Sequence, residues 1–135
     1  MPWKSRLAIF PIGDDTGAVC RAALSAARAF RAEVAKLNAA IGDDPAAHLR
    51  FGLARHVGEV LYGNIGGGNR LDFTAIGPAV NLAARLEKLA RDLNRTIIAS
   101  GSFAEACPQE FKPLGERQLR GVASPQPAFG LAEEC

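Results

Sequence analysis

The run Gly63-Asn64-Ile65-Gly66-Gly67-Gly68-Asn69 is the strongest turn signal in the chain. Glycine and asparagine tolerate the backbone angles that reverse a strand. Upstream, Leu49 to Leu61 mixes Phe51, Leu53, Val57, Val60 and Leu61 with Gly52 and Gly58. That mixture predicts a strand with bends or bulges at the glycines. Downstream, Leu71, Phe73 and Ala75 alternate with Asp72 and Thr74, the period of a half-buried strand. Together these pieces predict a β-hairpin. The chain must therefore build a sheet and bury it.

Two amphipathic helices are available to cover that sheet. From Val19 the apolar positions run Val19, Ala23, Ala26, Phe30, Val34, Leu37 and Ile41, in steps of three and four that mark one face of a helix. Asp14, Asp15 and Thr16 offer N-caps, and Gly42 to Pro45 ends the helix. The second helix opens at Gly77-Pro78, where a proline in the first turn loses no hydrogen bond. Its stripe is Leu82, Leu86, Leu89 and Leu93, with Asn94 as C-cap. Short strands are predicted at Leu7–Phe10, Thr96–Ala99, Leu114–Leu119 and Pro127–Leu131, with a capped helical turn from Ser100 to Cys107. The order predicts a single α+β domain over residues 1–135, one sheet with helices packed on one face.

Composition excludes several classes. With 135 residues, 48% of them hydrophobic, the chain suits one core rather than two. The net charge of +2 comes from 16 Lys and Arg against 14 Asp and Glu, too balanced to argue for nucleic acid or an anionic membrane. No apolar run approaches the ~18–20 residues of a membrane span, so no membrane segment is expected. Nor does Met1-Pro2-Trp3-Lys4 begin a secretory signal. Cys20, Cys107 and Cys135 form no CxxC pair, which fits a reducing, cytoplasmic setting.

Among residues that could carry chemistry, Asn81 and Arg85 stand out. Four positions apart, they share a helix face offset by about 100° from the leucine stripe. Asn81 lies near the positive end of the helix dipole, and Arg85 can present its fork to a phosphate. Such a pair could orient a sugar and stabilise a phosphoryl transition state. On spacing alone it is also read as an ordinary solvated face with an Arg–Glu pair. The glycine run could cradle phosphate or simply turn a hairpin, and no Gly-Lys-Ser/Thr follows it. Asp14-Asp15 and Asp43-Asp44 sit where a cap or turn needs an aspartate. His56 falls inside an apolar strand and His48 in a loop, neither at metal-ligand spacing.

Taken in order, Phe51-Gly52-Leu53-Ala54-Arg55-His56-Val57-Gly58-Glu59-Val60, Gly63-Asn64-Ile65-Gly66, Arg70-Leu71-Asp72-Phe73-Thr74-Ala75-Ile76-Gly77 and Val80-Asn81-Leu82-Ala83-Ala84-Arg85-Leu86-Glu87 resemble the catalytic domain of class III adenylate/guanylate cyclases. Leu7-Ala8-Ile9-Phe10 and Leu119-Arg120-Gly121-Val122 also fit it. The resemblance covers nearly the whole chain, as the C-terminal two-thirds of such a domain. It implies a ferredoxin-like cyclase fold that is N-terminally incomplete, and conversion of ATP to cyclic AMP and pyrophosphate in cyclic-nucleotide signalling. It also implies a site shared across a head-to-tail dimer. One protomer holds two divalent metals, Mg or Mn, on two aspartates; the other supplies an Asn and an Arg. Those two map onto Asn81 and Arg85. Thr74 maps onto the purine-reading position, which favours the adenylate type. Arg120 takes the place of a phosphate-facing Lys.

The departures lie at the N-terminal end. No Phe-x-Asp-Ile-x-Gly-Phe-Thr pattern occurs in the sequence, and Trp3-Lys4-Ser5 stands where a Gly-Asp-Gly turn belongs. Lys4 thus replaces the second metal aspartate, and the purine-selecting Lys would lie before Met1. The metal ligands are therefore expected to be absent, and the chain alone inactive. Its expected partners are ATP and a second protomer, as a homodimer or a heterodimer with a complete cyclase. The alternative is a non-catalytic regulatory or dimerisation module of a cyclase system.

Overall fold

In the computed structural model, residues 7–59, 61–64 and 73–134 are described. Lys4, residues 65–72 with most of the glycine run, and Cys135 lie outside them.

Helix α1 spans Thr16–Ile41, and the Asp15 side chain caps it by accepting from Ala18 N at 2.9 Å. Asp44 likewise caps a short turn at Pro45–Ala47, accepting from Ala46 N at 3.0 Å. Both aspartate pairs thus sit at caps. The buried seam of α1 is Cys20, Ala23, Leu24, Ala27 and Val34. It shares Ala23 and Val34 with the expected stripe but leaves Phe30, Leu37 and Ile41 exposed. Two arginines set this rotation. Arg28 reaches Glu110 at 2.6 Å and Glu133 at 2.9 Å, and Arg31 reaches Glu133 at 3.0 Å. Alanines alone would not choose a face this firmly.

The strands are β1 (Leu53–Arg55), β2 (Leu61–Asn64), β3 (Phe73–Ile76), β4 (Ile97–Ser100), β5 (Phe111–Arg117) and β6 (Gln126–Leu131). The main sheet has the order β1-β4-β6-β5, with β1 parallel to β4 and the other pairs antiparallel. The expected hairpin is present as a separate antiparallel ladder, Leu61 opposite Ile76 and Asn64 opposite Phe73. Between Leu49 and Leu61 the described backbone is strand only over Leu53–Arg55, with β2 beginning at Leu61. Its glycines mark close approaches rather than bulges. A Cβ on Gly52 would lie 3.1 Å from Glu87 O, and one on Gly58 would lie 2.7 Å from the Ala79 Cβ. Both partners belong to helix α2, Pro78–Asp92.

The helices cover both faces of the sheet, not one. Ile97, Ala99 and Leu131 pack with Cys20, Leu24 and Ala27 of α1 and Phe103 of the short helix α3, Gly101–Ala106. On the other face Ile98 and Ala128 pack with Leu86 and Ala90 of α2. The reason lies in β4, whose residues are all buried; a strand apolar on both sides needs cover on both. The predicted strand at Leu7–Phe10 does not form. Residues 7–12 run without a ladder, and Leu7, Ile9, Phe10 and Ile12 stay 40–52% exposed. A strand exists only with a paired edge, and the described residues offer this segment none. Among them, no helix is long and apolar enough to cross a membrane.

Candidate functional site

Helix α2 follows β3 through the single residue Gly77, whose φ of +136° suits glycine. Pro78 occupies the first turn as expected, and Asn94, just past the C-cap, takes the left-handed φ of +55°. Leu86 and Ala90 are fully buried, and Leu82, Leu89 and Leu93 pack around them. This fixes which way α2 faces. Asn81 is exposed in its first turn and Arg85 half-buried one turn on.

The Arg85 guanidinium forms no ion pair or hydrogen bond among the described residues. Its neighbours on α2 are already matched: Lys88 pairs with Asp92 at 3.0 Å, and Arg91 lies 3.9 Å from Glu87. Among the described residues, Arg85 is therefore not held in a local Arg–Glu pair. Thr74 stands on β3 opposite Gly63, three residues before the Gly77 joint. Arg120 is exposed in the turn after β5. Leu119 and Val122 on either side of it join the Leu86 cluster, so the Arg120 turn belongs to the same face of the sheet as α2.

His56 ends the strand that α2 packs on. Its Nδ1 lies 2.7 Å from Ser100 Oγ, and Ser102 Oγ donates to Val57 O at 2.8 Å. Burial pushes the imidazole pKa below its ordinary value, favouring the neutral ring. These contacts tie the end of β1 to the start of α3, and Gly58 then meets Ala79 at the start of α2. His56 is thus a hydrogen-bonded interior histidine. His48 Nε2 contacts Gly42 O at 2.6 Å, closing the loop after α1.

The sequence signal for Arg55 is a cation inside the largely apolar run Leu53-Ala54-Arg55-His56-Val57. Its Nε donates to Ala23 O at 3.2 Å and its Nη1 to Ala54 O at 3.1 Å. Burial pushes its pKa down. Cys20 and Cys107 are buried free thiols, and burial pushes both pKa values up. Among the described residues, no three His, Cys, Asp or Glu side chains come together as a metal site.

No protein-family model matches the chain. Over 79 residues it is 37% identical to adenylate cyclase 1 of Rhizobium meliloti (strain 1021), which covers 57% of this chain and 12% of that protein. It is 34% identical over 107 residues to an uncharacterized protein of Mycobacterium tuberculosis, covering 76% of this chain and 18% of the relative. Among solved structures, a bacterial light-regulated adenylyl cyclase matches with a TM-score of 0.50 at 31% identity, over 58% of this chain and 23% of that one. The chain thus spans less than a fifth of the length of these curated relatives.

Proposed function

We propose that this chain, a partial class III nucleotide cyclase catalytic domain in sequence and fold, contributes the Asn81/Arg85 half of a shared adenylate-type site. The observation that carries the reading is Arg85 itself. It is half-buried beside the leucine seam of α2, without an acidic partner among the described residues. A guanidinium held there has its donors ready for phosphate oxygens. Asn81, one turn nearer the helix N-terminus, would hold a ribose hydroxyl. The Thr74 hydroxyl is the group in this chain that would read the purine edge, and Arg120 a second phosphate contact.

The reaction is attack of the ribose 3′-oxygen on the α-phosphate of ATP, releasing pyrophosphate. Charge builds on the phosphate oxygens as the bond to pyrophosphate breaks. A preorganised donor at that point acts mainly on the transition state. Magnesium or manganese supplies further charge neutralisation in the family; with Lys4 standing where its second aspartate belongs, the carboxylates that hold it would come from a partner protomer. The partner that completes the site is a cyclase protomer carrying those carboxylates, in a heterodimer; a homodimer of this chain would lack them.

The test is complementation. The chain alone, with Mg²⁺ or Mn²⁺ and ATP, is expected to form no cyclic AMP above background. Mixed with a complete cyclase whose own Asn and Arg have been replaced, it should restore turnover. Asn81→Ala or Arg85→Ala should then cost about 10²–10³ in rate. GTP in place of ATP should give the weaker rate. A heterodimer seen by pull-down without cyclic AMP, or rescue indifferent to Arg85, would overturn the reading and favour a regulatory module.

A further inference from the structure

A second cleft lies at the far end of α2. Asn81 stands in the first turn of that helix, and Asp92 is its last residue. A rise of 1.5 Å per residue puts about 16 Å between them. The cleft has a volume of about 350 Å³, and four cations line it, Arg50, Lys88, Arg91 and Arg95. They come from three parts of the chain. Lys88 and Arg91 belong to the last turns of α2, Arg95 precedes β4, and Arg50 lies on the approach to β1. A helix C-terminus favours nearby cations. That accounts for Arg91 but not for Arg50 or Arg95, which arrive from outside the helix. The last carbonyls of α2 are also occupied already. Leu89 O, Ala90 O and Arg91 O accept from Leu93 N, Arg95 N and Asn94 N, so the helix end does not need these side chains as caps.

Three of the cations are seated by the fold. A Cβ on Gly52 would lie 3.0 Å from Arg91 Cγ, and one on Gly130 would lie 3.4 Å from Arg95 Nη1 and 3.5 Å from its Cδ. Two glycines thus leave the room in which these arginines lie over the sheet. Glu87 reaches Arg91 at 3.9 Å, Asp92 holds Lys88 at 3.0 Å, and Arg95 Nη1 donates to Glu134 O at 3.0 Å. Among the described residues, Asp92 is the one carboxylate that lines the cleft. The remaining walls are Phe51 and Asn94. Phe51 meets Phe30 edge-to-face, with ring centroids 5.1 Å apart. Asn94 is exposed in its left-handed conformation.

We propose that this cleft binds a small phosphate monoester, with its dianionic phosphate among the four cations and its body against Phe51 and Asn94. The guanidiniums of Arg50, Arg91 and Arg95 offer the flat, forked donors that match phosphate oxygens. A monoanion would leave more of that positive charge unanswered. A ring on the ester gains contact with the Phe51 ring, and the Asn94 amide can meet a polar group beside it. The volume sits at the lower end of the ~300–1,000 Å³ range of small-ligand sites, which suits a monoester. The proposal goes beyond the Asn81/Arg85 reading, since it needs neither of those residues nor a partner protomer.

The experiment is a titration of the full chain with phenyl phosphate, read by calorimetry and by amide NMR shifts. Inorganic phosphate and benzenesulfonate serve as comparison probes. Phenyl phosphate is expected to bind and to move the amides of Phe51, Gly52, Asn94 and Arg95, with an affinity that falls as salt rises. Benzenesulfonate carries the same ring with one charge and should bind about tenfold more weakly. Arg50 and Lys88 are both exposed, so their removal leaves the core untouched. Arg50→Ala and Lys88→Ala should each lose about fivefold or more in affinity for phenyl phosphate, as loss of a charge-assisted contact does. Phe51→Leu should weaken phenyl phosphate and leave inorganic phosphate unchanged. Arg85→Ala should change neither. No binding, equal binding of benzenesulfonate and phenyl phosphate, or affinity indifferent to both Arg50 and Lys88 would overturn the proposal. Loss of binding in Arg85→Ala, or shifts centred on Asn81, would equally overturn it by moving the phosphate to the first site. Because the readout is binding to this chain alone, the result stands apart from the complementation test.

Discussion

The two faces of the sheet follow different logics. On the α2 face, large leucines fill one seam, the neighbouring cations are paired along the helix, and Asn81 and Arg85 are left over. On the α1 face the seam is mostly alanine and cysteine, and long-range ion pairs turn the helix. There Arg55 is bonded to the carbonyls of Ala23 and Ala54, and Phe30 and Leu37 remain about half exposed. A seam of large side chains fixes a helix's rotation by volume, because any other rotation leaves voids. A seam of small ones permits several rotations, and distant charges then choose.

The largest expected effect tests the α2 seam. Leu86 is fully buried between α2 and the sheet. Leu86→Ala should cost about 2–5 kcal/mol by urea unfolding. It should also disturb Arg85, its neighbour in sequence. A loss under ~1 kcal/mol would mean that α2 is not seated on the sheet as described.

Next in size is the joint between the faces. A Cβ at Gly58 would lie 2.7 Å from the Ala79 Cβ and 2.9 Å from His56 Nε2. Backbone shifts to relieve such crowding cost about 1–3 kcal/mol. Gly58→Ala should lower Tm, while Gly13→Ala, with nothing within 4 Å of its Cβ, should leave it unchanged. Equal effects of the two would show that β1 and α2 do not meet at Gly58.

The same contrast explains what the sequence disclosed. The leucine stripe of α2, the Pro78 start, the hairpin pairing and the Asp15 cap were all legible, because each depends on residues near in sequence with strong steric or capping preferences. The α1 seam was not, because Arg28 and Arg31 answer to Glu110, Glu133 and Glu134 across the fold. The strand expected at Leu7–Phe10 had the right composition but lacks a paired edge among the described residues. Arg55's partners are the carbonyls of Ala23 and Ala54, and backbone acceptors leave no trace in a motif. The spacing marks Asn81 and Arg85, but that Arg85 has no acidic partner among the described residues is visible only in the structure.

A smaller effect should appear as pH dependence. Burial lowers the His56 pKa in the folded chain. The unfolded chain therefore takes up this proton first as pH falls, and stability is lost below the unfolded value of ~6.5. The loss continues until the folded pKa is passed, then levels off. His56→Gln should flatten that slope between pH 8 and pH 5.5. An unchanged slope in Tm would assign it to other groups. Glu133 responds only at more acidic pH. Burial works to raise its pKa, but hydrogen bonds from Arg28 and Arg31 prevail and hold it below the ordinary carboxylate value.

The smallest expected effect sharpens the comparison most. Leu37 was assigned to the buried stripe by its spacing, yet it is 53% exposed on α1. If α1 is turned by its arginines, Leu37→Ala removes little buried area and replaces leucine with a better helix former. The change should stay within about 0.5 kcal/mol, as at an ordinary surface site. Arg28→Ala in the same helix should cost more, since it leaves Glu110 and Glu133 without that contact. Run across a range of protein concentrations, the pair separates two explanations of the exposed leucine. A Leu37→Ala cost above ~1 kcal/mol that does not vary with concentration would mean that α1 buries the stripe read from its periodicity. A cost that grows with concentration would mean that a second copy covers this face in solution. An effect near zero at every concentration, with a clear loss from Arg28→Ala, is the outcome expected if charge rather than volume sets the helix.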